Sequence, residues 1–114
     1  MKAETLAKKV VKGLDEMKAI NIQSLDVKKL TSITDIMIIA SGRSDRQVRA
    51  LAQKSVEVAK KAKARVLGTE GEREGQWILV DLGDVIVHLM HPTARAYYQI
   101  EKLWADAVQV RSKS

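Results

Sequence analysis

WILVDLGDVIVHLM, residues 77 to 90, reads as two strands joined by a tight turn, because apolar side chains alternate on both sides of a Leu-Gly-Asp centre. A two-residue turn over Gly83-Asp84 puts glycine first, and one over Leu82-Gly83 is the alternative. Either turn gives the same two faces, since residues paired across a hairpin project to one side. Ile78, Val80, Leu82, Val85, Val87 and Leu89 form a wholly aliphatic face that must pack against helices. Trp77, Leu79, Asp81, Asp84, Ile86, His88 and Met90 form the other, which mixes an indole, two carboxylates and an imidazole. A three-residue loop would scramble this division.

The flanking sequence supplies the rest of a sheet and its helices. TDIMIIASG, residues 34 to 42, is a continuous apolar run, as in a strand buried on both faces. Ser44 follows with Gln47 three residues on, a capping-box pattern that opens a helix. Val48, Leu51, Ala52, Val56, Ala59 and Ala62 trace its buried stripe, with Arg46, Arg49 and Lys60 elsewhere on its surface. Upstream, NIQSLDV, residues 21 to 27, is a short strand, and Leu6, Val10, Leu14 and Met17 mark an N-terminal helix. ARVL, residues 64 to 67, is expected to form a short strand, and GTEGEREG, residues 68 to 75, a mobile turn-rich connection. Pro92 opens a last helix on which Tyr97, Ile100 and Trp104 share a core face, with Tyr98 and Glu101 on a neighbouring one. The tail from about 106 to 114 adds an edge strand or a basic extension. The expected fold is α/β: a mixed β-sheet flanked by helices in one domain spanning 1–114.

Composition bounds the chemistry. With 114 residues, 46% hydrophobic and 30% charged, the chain suits a single folded core. The absence of cysteine excludes disulfides, thiol nucleophiles and thiolate metal sites, and fits a reducing compartment. The N-terminal stretch lacks the apolar run of a signal peptide, and no segment approaches the ~20 apolar residues of a membrane span, so a cytoplasmic protein without membrane contact is expected. The net charge of +6 favours an acidic partner or nucleic acid, although lysines on helices are more often a solvated face.

Catalytic readings fit poorly. A metal site from Asp81, Asp84, His88 and His91 needs ligands converging within roughly 2.0–2.3 Å of one point, and His88 and His91 have opposite strand parity. A nucleotidyltransferase site, with SGRS (41–44) before a helix and DLGD (81–84) as the magnesium ligands, needs two carboxylates side by side. Two on one strand stand two residues apart, whereas Asp81 and Asp84 are three apart and straddle a turn. Ser41 and Ser44 do not lie in a GxSxG elbow. No catalytic residue, metal or cofactor is therefore assigned.

LDV (25–27), SITDIMIIASGRSDRQV (32–48), EG (70–71), WILVDLGDVIVHLM and YYQIEKLW (97–104) together resemble the ribosomal silencing factor family, the Iojap-related proteins. The resemblance runs from about Leu6 to Trp104. It implies a nucleotidyltransferase-like fold without established transferase activity, and a repressor of translation. Such a factor binds the large ribosomal subunit at ribosomal protein fourteen, blocks joining with the small subunit, and is also associated with large-subunit maturation. Trp77, Asp81, His88 and Met90 on the mixed hairpin face, with Arg95 and Tyr98 from the next helix, are the candidate partner-binding residues. Trp77 and Tyr98 would be the anchors, as large aromatics are at interface centres. Positive charge would steer the factor toward the ribosome and tolerate nearby ribosomal RNA, and the apolar patch could also support a homodimer. Two rivals remain: a magnesium-dependent nucleotide-binding enzyme and a direct RNA-binding module. The latter lacks aromatics interleaved with basic residues on a strand.

Overall fold

A computed structural model of the protein describes residues 2–104 and 107–109. The chain runs α1 (Ala3–Glu16), β1 (Ile20–Asp26), β2 (Ile36–Ser41), α2 (Asp45–Lys61), β3 (Gly68–Glu70), β4 (Trp77–Asp81), β5 (Val85–Met90), α3 (Pro92–Tyr98), a 3-10 turn (Ile100–Trp104) and β6 (Val108–Gln109). Six strands form one sheet in the order β3-β4-β5-β2-β1-β6. Among the described residues only β2 and β5 pair in parallel, and the other neighbours are antiparallel. This is the mixed sheet flanked by helices that the sequence pattern implies.

The hairpin adopts the first of the two turns. Trp77 pairs with Met90, Val80 with Val87 and Asp81 with Ile86, and the Leu82 N–H donates to the Val85 carbonyl. Gly83 takes a φ of +85°, the left-handed region that glycine enters without steric cost. The turn therefore fixes register, and register fixes the faces. All six aliphatic residues of the first face are buried in the main core. There they meet Leu6, Val10 and Leu14 of α1 and Val48, Leu51, Ala52 and Ala59 of α2. β2 and β5, hydrogen-bonded on both sides, are buried at every position. Fully burying one such aliphatic side chain is worth ~1.5–3 kcal/mol, so this layer carries most of the driving force for folding.

α2 begins where its cap predicts. Ser44 Oγ accepts from the Gln47 N–H, and Gln47 Oε1 turns back to accept from the Arg43 N–H. A second, smaller core lies on the opposite side of the sheet, where Leu25, Val27, Met37, Ile39 and Met90 meet Ala94 of α3 and Ile100 of the 3-10 turn.

Three expectations are corrected. ARVL is not a strand; the strand begins one residue later, at Gly68, and pairs antiparallel with β4. The segment 68–75 is accordingly an edge strand plus an ordered turn. Arg49 holds it by donating from Nε to the Glu72 carbonyl and from Nη2 to the Arg73 carbonyl. Finally, the last helix is not continuous. Gln99 adopts a left-handed conformation (φ 46°) after Tyr98, which resets the helical phase. Tyr97, before that break, is 81% exposed rather than core, while Ile100 beyond it is buried and Trp104 packs partly against the second core. The tail does supply an edge strand, since Val108 and Gln109 pair with Asp26 and Leu25; residues 105, 106 and 110–114 of that segment lie outside the described residues.

Candidate functional site

The second face of the hairpin is only partly covered. Cross-strand register arranges it in rows: Glu70, Leu79, His88 and Ile39 in one, and Gly68, Asp81, Ile86 and Met37 in the next. α3 and the 3-10 turn bury the β2 end of these rows, leaving Leu79 and Asp81 partly accessible and Glu70 exposed. Trp77, paired with Met90, stands at the margin between covered and open sheet.

Trp77 organises the site. Its Nε1–H donates to His88 Nδ1 at 3.0 Å, with ring centroids 5.8 Å apart. Tyr98 leans on its other side, with centroids 5.0 Å apart and planes tilted by 48°. Tyr97 meets Tyr98 edge-on, also at 5.0 Å. The four rings form one aromatic ridge from the sheet to α3, and Tyr98 remains 55% exposed at its crest. Edge-to-face and tilted pairs of this kind add ~0.5–1.5 kcal/mol beyond area burial, so the ridge is a stiff surface feature. His88 is 7% exposed, and desolvation by burial lowers its pKa from 6.5 to about 4.

The other candidates separate by role. Asp81 is half-buried and its carboxylate accepts from the Gly83 N–H at 2.9 Å, so it shapes the turn while keeping an outward edge. Asp84 is exposed, and its carbonyl accepts from the Asp35 and Ile36 N–H groups. Met90 is fully buried in the second core and can support the patch only from beneath. Arg95 is turned inward. Its Nε donates to Glu101 at 2.8 Å, and its Nη1 donates to Ser41 Oγ at 3.0 Å and to the Ile20 carbonyl at 3.4 Å. That fork ties α3 to the start of β1 and the end of β2, beside a cleft of about 440 Å³. No group of three or more His, Asp or Glu side chains among the described residues is arranged to hold a metal ion.

Sequence reasoning missed the Trp77–His88 hydrogen bond and the inward role of Arg95. The first was legible once the turn was placed, because a turn over 83–84 makes residues 77 and 88 diagonal neighbours on one face. The second had no local signal, since its partners come from β1, β2 and the 3-10 turn. His91 was also missed as the cap of α3, where its Nδ1 accepts from the Thr93 N–H.

A family model described as ribosomal silencing factor during starvation matches residues 1–114. The chain belongs to the ribosomal silencing factor family. A ribosomal silencing factor of Chromobacterium violaceum is 44% identical over 104 residues, covering 91% of this chain and 85% of that protein. A crystal structure from the same organism, also 44% identical, superposes with a TM-score of 0.90 over 92% of this chain and 88% of that one. A mouse protein named for mitochondrial assembly of the ribosomal large subunit is 38% identical over 74 residues, 62% of this chain and 32% of that protein. Membership in the silencing factor family gives the chain a ribosome-associated silencing role, and the resemblance carried by the hairpin and its flanking blocks is established. No helix among the described residues is long and apolar enough to cross a membrane.

Proposed function

We propose that this silencing factor is a non-catalytic translational repressor of the cytoplasm. It docks its hairpin face on the large ribosomal subunit, at ribosomal protein fourteen, and sterically blocks joining with the small subunit. The observation that carries this reading is the ridge of Trp77 and Tyr98 at the open edge of the sheet. Large, partly exposed aromatics held rigid by packing are what interface anchors require, and little side-chain entropy is lost when they are covered. The name of the mouse relative supports the large subunit as the partner and a part in its maturation. The carboxylates favour docking over phosphoryl transfer: Asp81 is engaged by its own turn and Asp84 stands outside the strand.

Occupancy alone performs the function. A factor seated where the small subunit approaches excludes it without any bond being made or broken. The test is co-sedimentation of purified protein with isolated large subunits, followed by a subunit-joining assay monitored by light scattering. Stoichiometric binding with loss of joining is the expected result. Absence of binding, or binding with joining undiminished, overturns the proposal.

A further inference from the structure

The hairpin face holds one polar group whose orientation its neighbours dictate. His88 Nδ1 accepts the Trp77 Nε1–H at 3.0 Å. A neutral imidazole accepting at Nδ1 must carry its proton on Nε2. Nε2 has no hydrogen-bond partner among the described residues, and His88 keeps 7% of its surface accessible. The ring therefore carries an N–H donor without an acceptor among the described residues, set in an otherwise apolar floor. That floor is formed by Leu79 and Ile39 on the neighbouring strands and by Ile86 and Met90 along β5.

The charges around this donor select among acceptors. Glu70 lies across from Leu79, and Asp81 lies two residues along β4 on the same face. Both carboxylates oppose the approach of an anion, so a phosphate or carboxylate is disfavoured there, while a neutral oxygen flanked by a basic side chain is welcome.

We propose that His88, locked by Trp77 as its Nε2–H tautomer, is the specificity determinant of the docking face and donates to a neutral carbonyl oxygen of the protein that covers it. This inference rests on the hairpin face being the docking surface. It adds that the contact made there is with protein and not with the RNA backbone. A partner lacking an acceptor at that point would leave a donor buried and unsatisfied, and a misplaced acceptor would do the same from its side.

Two variants separate the roles of the two nitrogens. In His88→Asn the amide reaches only the Nδ1 position and can still meet Trp77, but nothing replaces Nε2. In His88→Gln the amide N–H reaches the Nε2 position. Affinity for isolated large subunits should fall roughly ten- to a hundredfold in the Asn variant, with the Gln variant recovering most of it. Nitrogen-15 NMR of the free protein should show His88 protonated at Nε2 and unprotonated at Nδ1. Equal losses in both variants, an Asn variant that binds like the parent, or a ring protonated at Nδ1 would each overturn the inference. Tyr98→Ala distinguishes its failure from that of the docking reading. If Tyr98→Ala weakens binding while His88→Asn does not, only the assignment to His88 falls; if neither matters, the docking face itself falls. A salt-dependent loss of naked ribosomal RNA binding in the His88→Asn variant would reassign the acceptor to phosphate and refute the carbonyl.

Discussion

At the scale of single residues, Trp77 and Tyr98 differ in a way that experiment can exploit. Tyr98 touches Trp77 and Tyr97 but belongs to no core, so Tyr98→Ala should weaken large-subunit binding by ~2 kcal/mol while costing the fold only the ~1 kcal/mol of its ring contacts. Trp77 also packs against the second core and satisfies His88, so Trp77→Ala should lower both affinity and stability. Parallel thermal melts and sedimentation assays check the pair, and an equal stability loss in both would refute the division. His88 makes a separate prediction about pH. Its folded pKa of about 4 lies below the ordinary 6.5, so burial favours the neutral ring. Above pH 6.5 neither state is protonated and the group has no effect. As pH falls from 6.5 toward 4 the unfolded chain takes up a proton that the folded one refuses, and stability should drop by roughly 3 kcal/mol over that window. Urea unfolding across pH 4 to 7 should show this slope in the parent and lose it in His88→Gln.

At the scale of elements, the turn between β3 and β4 packs more tightly at its glycine than any other glycine site among the described residues. Gly71 has a φ of +87°, and a Cβ there would lie 2.0 Å from the Trp77 carbonyl oxygen, whereas one on Gly68 would meet nothing within 4 Å. Gly71→Ala should therefore cost more than ~2 kcal/mol, because strain and backbone clash add, and Gly68→Ala should stay within ~0.5 kcal/mol of neutral. Urea midpoints of the two variants test the contrast. This turn also shows where sequence reading succeeds and where it stops. α1, α2, β2 and the hairpin are legible because each carries its own periodicity and its own signal: the Ser44 cap, the glycine of the turn, the unbroken apolar run. β3 is displaced from ARVL because a three-residue edge strand has no period to read; it exists because β4 offers free backbone groups, and Arg49, distant in sequence, stabilises the loop behind it. The helix after Pro92 is over-extended for a similar reason. Gln99 enters a left-handed conformation that residue type alone does not announce, and Tyr97 before it no longer shares a face with Ile100 and Trp104 after it.

For the whole molecule, the sheet separates two surfaces of different character. Lys8, Lys9, Lys12, Lys60 and Lys61 are exposed on the helical layer, and the aromatic ridge lies on the other side of the sheet. The net charge of +6 should thus speed encounter with the anionic ribosome without forming the contact that holds the complex. Raising ionic strength from about 0.05 to 0.3 M should slow association several-fold and leave dissociation nearly unchanged, as rapid-mixing kinetics would register. The parallel pairing of β2 with β5 delays completion of the sheet during synthesis. Ile36 pairs with Val85, 49 positions later (85 − 36), so β2 acquires its second neighbour only after most of the chain has been synthesised. Until β5 arrives, the emerging polypeptide has neither a closed sheet nor a ridge, and its aliphatic edge is open to proteases and chaperones. On the proposed docking, a chain cut short before Val85, lacking His88 and Tyr98, should not bind large subunits.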